Sequence, residues 1–221
     1  MSEAAVEIAE PRFRAAIEIS SVTVGMVVFA LCSHRGGWWA LASAAGLLAS
    51  GATIGRSLGR AAAPRAMLGL ARWSRALTLY VVAALAIGVT LGVADRYSLG
   101  LPLWPAGGLE RFVIVACLIG ATEELVYRGW LLGRAGVFGT AGAILAAAGT
   151  HALYKTALFA WPVGAPAVNL TSLALLTFAG GIVFGALRVS SASVVPSMIA
   201  HAAFDFMVYG AVAQAPWWVW T

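Results

Sequence analysis

The sequence predicts an all-α protein: a polytopic bundle of about seven transmembrane helices whose amino terminus is cytoplasmic. Three observations carry that expectation. Of the 221 residues, 61% are apolar and 10% charged, with a mean hydropathy of +0.89, a balance far outside that of soluble domains. Apolar stretches close to the roughly 20 residues a helix needs to cross hydrocarbon recur along the chain. Runs such as Val81-Val-Ala-Ala-Leu-Ala-Ile87 do not alternate polar with apolar residues, which excludes a barrel.

Taken in order, the apolar stretches lie near 15–33, 38–55, 76–94, 109–132, 139–155, 168–187 and 191–214. The first two are joined by Ser33-His-Arg-Gly-Gly37, short enough for a tight hairpin or one re-entrant element. Arg56, Arg60, Arg65, Arg72 and Arg75 share the next loop, 56–75, with no acidic residue, and an excess of basic side chains marks a cytoplasmic loop. Threading the spans outward puts Arg12, Arg14, Arg134 and Arg188 on that same side and the carboxyl terminus outside. Arg35, Arg96, Arg111 and Lys155 face the other way. The net charge of +5 is therefore read as a topology signal rather than as a surface for nucleic acid.

All nine tryptophans, Trp38, Trp39, Trp73, Trp104, Trp130, Trp161, Trp217, Trp218 and Trp220, fall at or just beyond the ends of these spans, where an aromatic belt belongs. Cys32 and Cys117 lie inside apolar spans and read as small buried hydrophobes rather than a disulfide. Glu3, Glu7 and Glu10, with no small-residue cleavage site after the first span, predict that this span is retained. Alanine richness favours close helix packing.

Polar residues are unevenly distributed. Residues 1–14 read as a cytoplasmic tail and 15–100 as a scaffold whose three spans hold a single internal carboxylate, Glu18, near enough to the inner edge to reach water. Past the seam Leu101-Pro-Leu-Trp-Pro-Ala-Gly-Gly108, residues 101–214 hold Glu123, Glu124, Arg128, His151, His201 and Asp205, and 215–221 form a Trp-rich interfacial tail. At about 2.5–3.5 kcal/mol for each charge at the centre of a span, Glu123, Glu124, Arg128 and Asp205 together cost about 10–14 kcal/mol unless paired. On a helix Glu124 shares a face with Arg128, four residues on, whereas Glu123 points about 100° away and has no local partner. His201 and Asp205 also lie four apart and share a face. At 1.5 Å per residue, Glu123, His151 and His201 sit about 13, 18 and 15 Å from the inner ends of their spans. Three helices thus deliver their polar groups to one level, the layout of a site in a bundle core.

These residues resemble a known family. Glu123-Glu-Leu-Val-Tyr-Arg128 matches the EExxxR motif, and His201-Ala-Ala-Phe-Asp205 the HxxxN/D motif, of the CPBP family: the type II CAAX prenyl endopeptidases and their Abi or bacteriocin-processing relatives. His151 stands at the family's FxxxH motif, with Ala147 in place of the phenylalanine. The likeness covers about 105–210. It implies intramembrane peptide-bond hydrolysis of the glutamic type, with Glu123 as general base assisted by His151. Glu124 would hold Arg128, and His201 with Asp205 would stabilise the oxyanion. Asp205, where many relatives carry Asn, is either protonated or accepts from His201 and holds one tautomer.

Alternatives stay open at this level. Glu123, His151, His201 and Asp205 offer the N and O donors of a zinc site, so a zinc-dependent hydrolysis is the alternative to a cofactor-free one. Intramembrane carboxylates and histidines also build transport or proton pathways, and a binding protein could keep the fold without catalysis. The expected partners are the bilayer and a membrane-tethered protein or peptide, with no nucleic acid and an undetermined oligomeric state. One lysine against thirteen arginines points to a GC-rich bacterial genome and hence the inner membrane.

Overall fold

The computed structural model describes residues 3–33, 35–70, 72–105, 110–160 and 169–211, with side chains from Pro11 onward. The tail 215–221, Trp161 and part of the 101–108 seam lie outside the described residues. Among those described there is no strand; the chain runs through α1 (Glu3–Cys32), α2 (Trp38–Arg60), α3 (Pro64–Leu68), α4 (Arg75–Ser98) and α5 (Arg111–Glu124). A π-helical turn (Leu125–Leu131) leads into α6 (Leu132–Ala135), then follow a 3-10 turn (Gly136–Phe138), α7 (Thr140–Phe159), α8 (Leu170–Ser191) and α9 (Val195–Tyr209).

Local chemistry sets several of these ends. Ser74 caps α4 by accepting from the Leu77 amide at 3.1 Å, and Asn169 caps α8 by accepting from Ser172 at 3.0 Å, each satisfying an otherwise orphaned donor. Pro196 opens α9 in the first turn, where its missing N–H costs nothing. The amino-terminal tail contains the start of α1, which begins at Glu3 and continues past Pro11; Ala and Glu, both strong helix formers, dominate there. The basic loop is also more ordered than expected, with α2 reaching Arg60 and α3 ending on Gly69 at φ +70°.

Three helical stretches, Pro11–Cys32, Arg75–Ser98 and Leu170–Ser191, are long and apolar enough to cross a bilayer. Large apolar side chains on the outside of the bundle, such as Leu79, Val82, Leu118, Leu175 and Leu176, are exposed. Facing lipid they need no cover, whereas a soluble protein rarely tolerates so much exposed apolar surface. This is a membrane protein.

Small residues let the helices approach. In the α1–α2 hairpin a Cβ on Gly25 or Gly46 would collide with the facing backbone, and Ser50 donates to the Val22 and Gly46 carbonyls. Without a hydrophobic driving force between helices in lipid, such close contact supplies the packing energy. The main core surrounds the π turn, where Tyr127, Trp130 and Leu131 meet Val22, Ala147 and Tyr154.

Two sequence expectations change here, and one basic side chain proves to be buried. Trp130 is fully buried, unlike Trp38, Trp39, Trp73 and Trp104, which are exposed. Its helix is central in the bundle, so a span end there faces protein rather than the interface. Glu18 is not open to water: it is buried and accepts from Ser57 (3.2 Å), Arg60 (2.6 Å) and Arg134 (2.5 Å). Arg96 is buried as well, and donates to the Pro102 carbonyl (2.5 Å) and the Met207 carbonyl (2.9 Å). Carbonyls left orphaned where helices end take a guanidinium readily.

Candidate active site

Helix α5 ends on Glu123 and Glu124, and the chain then widens by a residue per turn, a π-helical geometry found mostly at functional sites. Tyr127 through Leu131 are all buried, so this turn is enclosed on every side, as a central helix must be.

Arg128 is the hub. Its Nη1 donates to Glu124 Oε1 at 2.8 Å and to His151 Nδ1 at 2.9 Å. A guanidinium can only donate, so His151 Nδ1 accepts and the neutral ring carries its proton on Nε2. That Nε2 lies 3.2 Å from Glu123 Oε2 and donates to it. Tyr127 stacks on the His151 ring with centroids 4.5 Å apart. An aromatic ring from the π turn thus packs on the histidine, although Ala147 stands where the family motif has phenylalanine.

His201, from α9, donates Nδ1–H to Glu124 Oε1 at 2.9 Å. Its Nε2 faces two further carboxylates, Glu123 Oε2 at 3.9 Å and Asp205 Oδ2 at 3.8 Å. The spacing of His201 and Asp205 correctly implies a shared face, but 3.8 Å is too long for a hydrogen bond. Glu124, not Asp205, sets the His201 tautomer. Gly120 makes this convergence possible, because a Cβ there would run into Asp205 Oδ2 and the His201 ring.

The six residues named from the sequence therefore lie in one buried cluster, each at most 7% exposed. Sequence reasoning missed a seventh. Lys155 Nζ lies 2.6 Å from Glu123 Oε1, a contact that threading Lys155 to the non-cytoplasmic side does not reveal. Its four-residue spacing from His151 was the available signal, since it puts both on one face of α7. Among the described residues, no group of three or more His, Cys, Asp or Glu side chains is placed to hold a metal ion.

Beside the cluster, a cavity of about 540 Å³ runs between α5 and α9, lined by apolar residues including Val113, Ala121, Met198, Ala202 and Phe206, with the Cys117 thiol. None of the six charged or imidazole side chains lines it.

Residues 104–207, which hold every one of these groups, match the family model "Type II CAAX prenyl endopeptidase Rce1-like". This segment is an Rce1-like domain. No curated protein and no solved structure is significantly similar to the chain. The Rce1-like domain makes the protein a membrane peptidase, a hydrolase of the CAAX endopeptidase type, and the buried cluster lies wholly within it.

Proposed function

We propose that this protein is a glutamic-type intramembrane endopeptidase that hydrolyses a peptide bond near the carboxyl terminus of a membrane-associated protein or peptide. One observation carries the reading: a buried carboxylate oxygen, Glu123 Oε2, faces two imidazole nitrogens on two other helices at 3.2 and 3.9 Å.

Glu123 Oε2 takes a proton from a water held between the imidazoles, and the hydroxide adds to the amide carbon. His151 Nε2–H orients the carboxylate. His201, with Nδ1–H committed to Glu124, presents Nε2 to the developing oxyanion; carrying a proton, it donates there in a site shielded from bulk water, where a placed donor is most effective. Collapse of the adduct breaks the C–N bond, and Glu123 returns its proton to the leaving amine. Charge balance supports this assignment. Three carboxylates, Glu123, Glu124 and Asp205, face two permanent cations, Arg128 and Lys155, so one proton shared by the His201–Asp205 pair neutralises the cluster. Burying an uncompensated charge is costly.

The chemistry is proposed to need no metal. A zinc ion bound by Glu123, His151, His201 and Asp205 would face the Lys155 ammonium on Glu123 and an Arg128 donor behind His151, two cations that repel it. The apolar cavity between α5 and α9 supports a substrate that approaches from the bilayer. The seven-span topology with a cytoplasmic amino terminus draws support from Arg60 and Arg134, which the threading puts on one side and which share Glu18. Residence in a bacterial inner membrane is part of the same proposal.

The deciding experiment is Glu123→Gln, assayed on a farnesylated CAAX peptide and on the membrane proteome of cells carrying either form. A loss of cleavage by about 10²–10⁴-fold with normal membrane insertion is expected; undiminished cleavage refutes the proposal.

A further inference from the structure

We infer that Lys155 is a positioning residue of this site, clamping one oxygen of Glu123 so that the other is aimed at the space between the two imidazoles. The inference rests on the reading of Glu123 as the base.

A carboxylate turns freely about its last bond unless something holds it. Here Oε1 is held by Lys155 at 2.6 Å, which leaves Oε2 facing His151 at 3.2 Å and His201 at 3.9 Å. Arg128 is committed elsewhere, to Glu124 and His151. His151 and Lys155 lie four residues apart on α7, so one helical face supplies both of the close contacts to Glu123. The choice of residue type fits the task. The chain uses arginine thirteen times and lysine once, at the place where a single oxygen must be held. An ammonium is a compact point charge on a flexible stem, whereas a guanidinium presents a planar fork suited to two acceptors. The Lys155 side chain is 22% exposed, so its stem reaches the site from the bundle margin.

The test uses the full-length protein and a farnesylated CAAX peptide as probe. Lys155→Met is expected to lower kcat about 100-fold, the cost of misplacing a reacting group by about 1 Å, with KM changed less than about twofold. Lys155→Arg, which keeps the charge, is expected to recover at least about tenfold of that loss. Wild-type kcat in Lys155→Met overturns the inference while leaving Glu123 as base if Glu123→Gln is inactive; an active Glu123→Gln instead removes the underlying reading. A thermal double-mutant cycle provides a readout without turnover. Lys155→Met should lower the unfolding midpoint more in the wild type than in the Glu123→Gln background, and equal shifts overturn the clamp.

Discussion

A charge inside a membrane helix has to find its partner among neighbouring side chains, and the two adjacent glutamates solve this differently. Glu124 finds Arg128 one turn along its own chain, a pairing legible as a four-residue spacing. Glu123 finds His151 and Lys155 across the bundle, a pairing that no local spacing contains. Two predictions belong at this scale. Arg128→Met leaves Glu124 buried with only His201, and is expected to lower stability by about 3–5 kcal/mol, the usual cost of breaking a buried pair from one side; unfolding in detergent measures it. Arg128→Lys is expected to fail as well, because a single ammonium cannot reproduce the guanidinium bridge between Glu124 and His151. A second prediction concerns metal: activity of the purified protein is expected to survive strong chelation. Loss on chelation and recovery with zinc would reverse the assignment of Glu123 from base to ligand.

At the scale of the elements, the site depends on how near α5 can come to α9. Gly120 faces Asp205 and His201 without a side chain, and Ala is the smallest residue that would separate them. Gly120→Ala is expected to cost about 10²-fold in kcat, by moving His201 away from Glu123, while the protein still inserts; unchanged kcat would show that the helices adapt. The π turn that follows could not be read from sequence. Leu125–Leu131 contains no proline and no serine pair to mark it, and a widened turn is chosen by the packing around Tyr127 and Trp130 rather than by residue propensity. The helices themselves were legible to within a few residues at most ends. Hydropathy and length are properties of a segment alone, whereas α1 and α2 outrun their apolar stretches because helix formers extend beyond them.

Across the whole molecule, the amino-terminal hairpin is tied to the Rce1-like domain through Glu18, which joins α1 to Arg60 of α2 and Arg134 of α6. Glu18→Ala is expected to lower stability by about 1.5–3 kcal/mol, the range for charged hydrogen bonds. The folded fraction should retain wild-type kcat, and a fall in kcat at full occupancy of the fold would mean that the hairpin shapes the site. The cytoplasmic assignment of the basic loop predicts that a cysteine placed at Arg56 is labelled by an impermeant maleimide from the inner face.

By itself the sequence determined that the chain is helical, that it belongs in a bilayer, and which six polar residues of its apolar spans have to find partners inside the bundle, because burying charge in hydrocarbon is too costly to go unpaired. Only the tertiary structure decided how each helix is turned about its axis: that Lys155 reaches Glu123, that Glu124 takes the His201 proton, and that Trp130 faces protein instead of the interface. Those rotations follow from where small residues let backbones meet. Such contacts join positions far apart in the chain, and no local pattern of hydropathy encodes them.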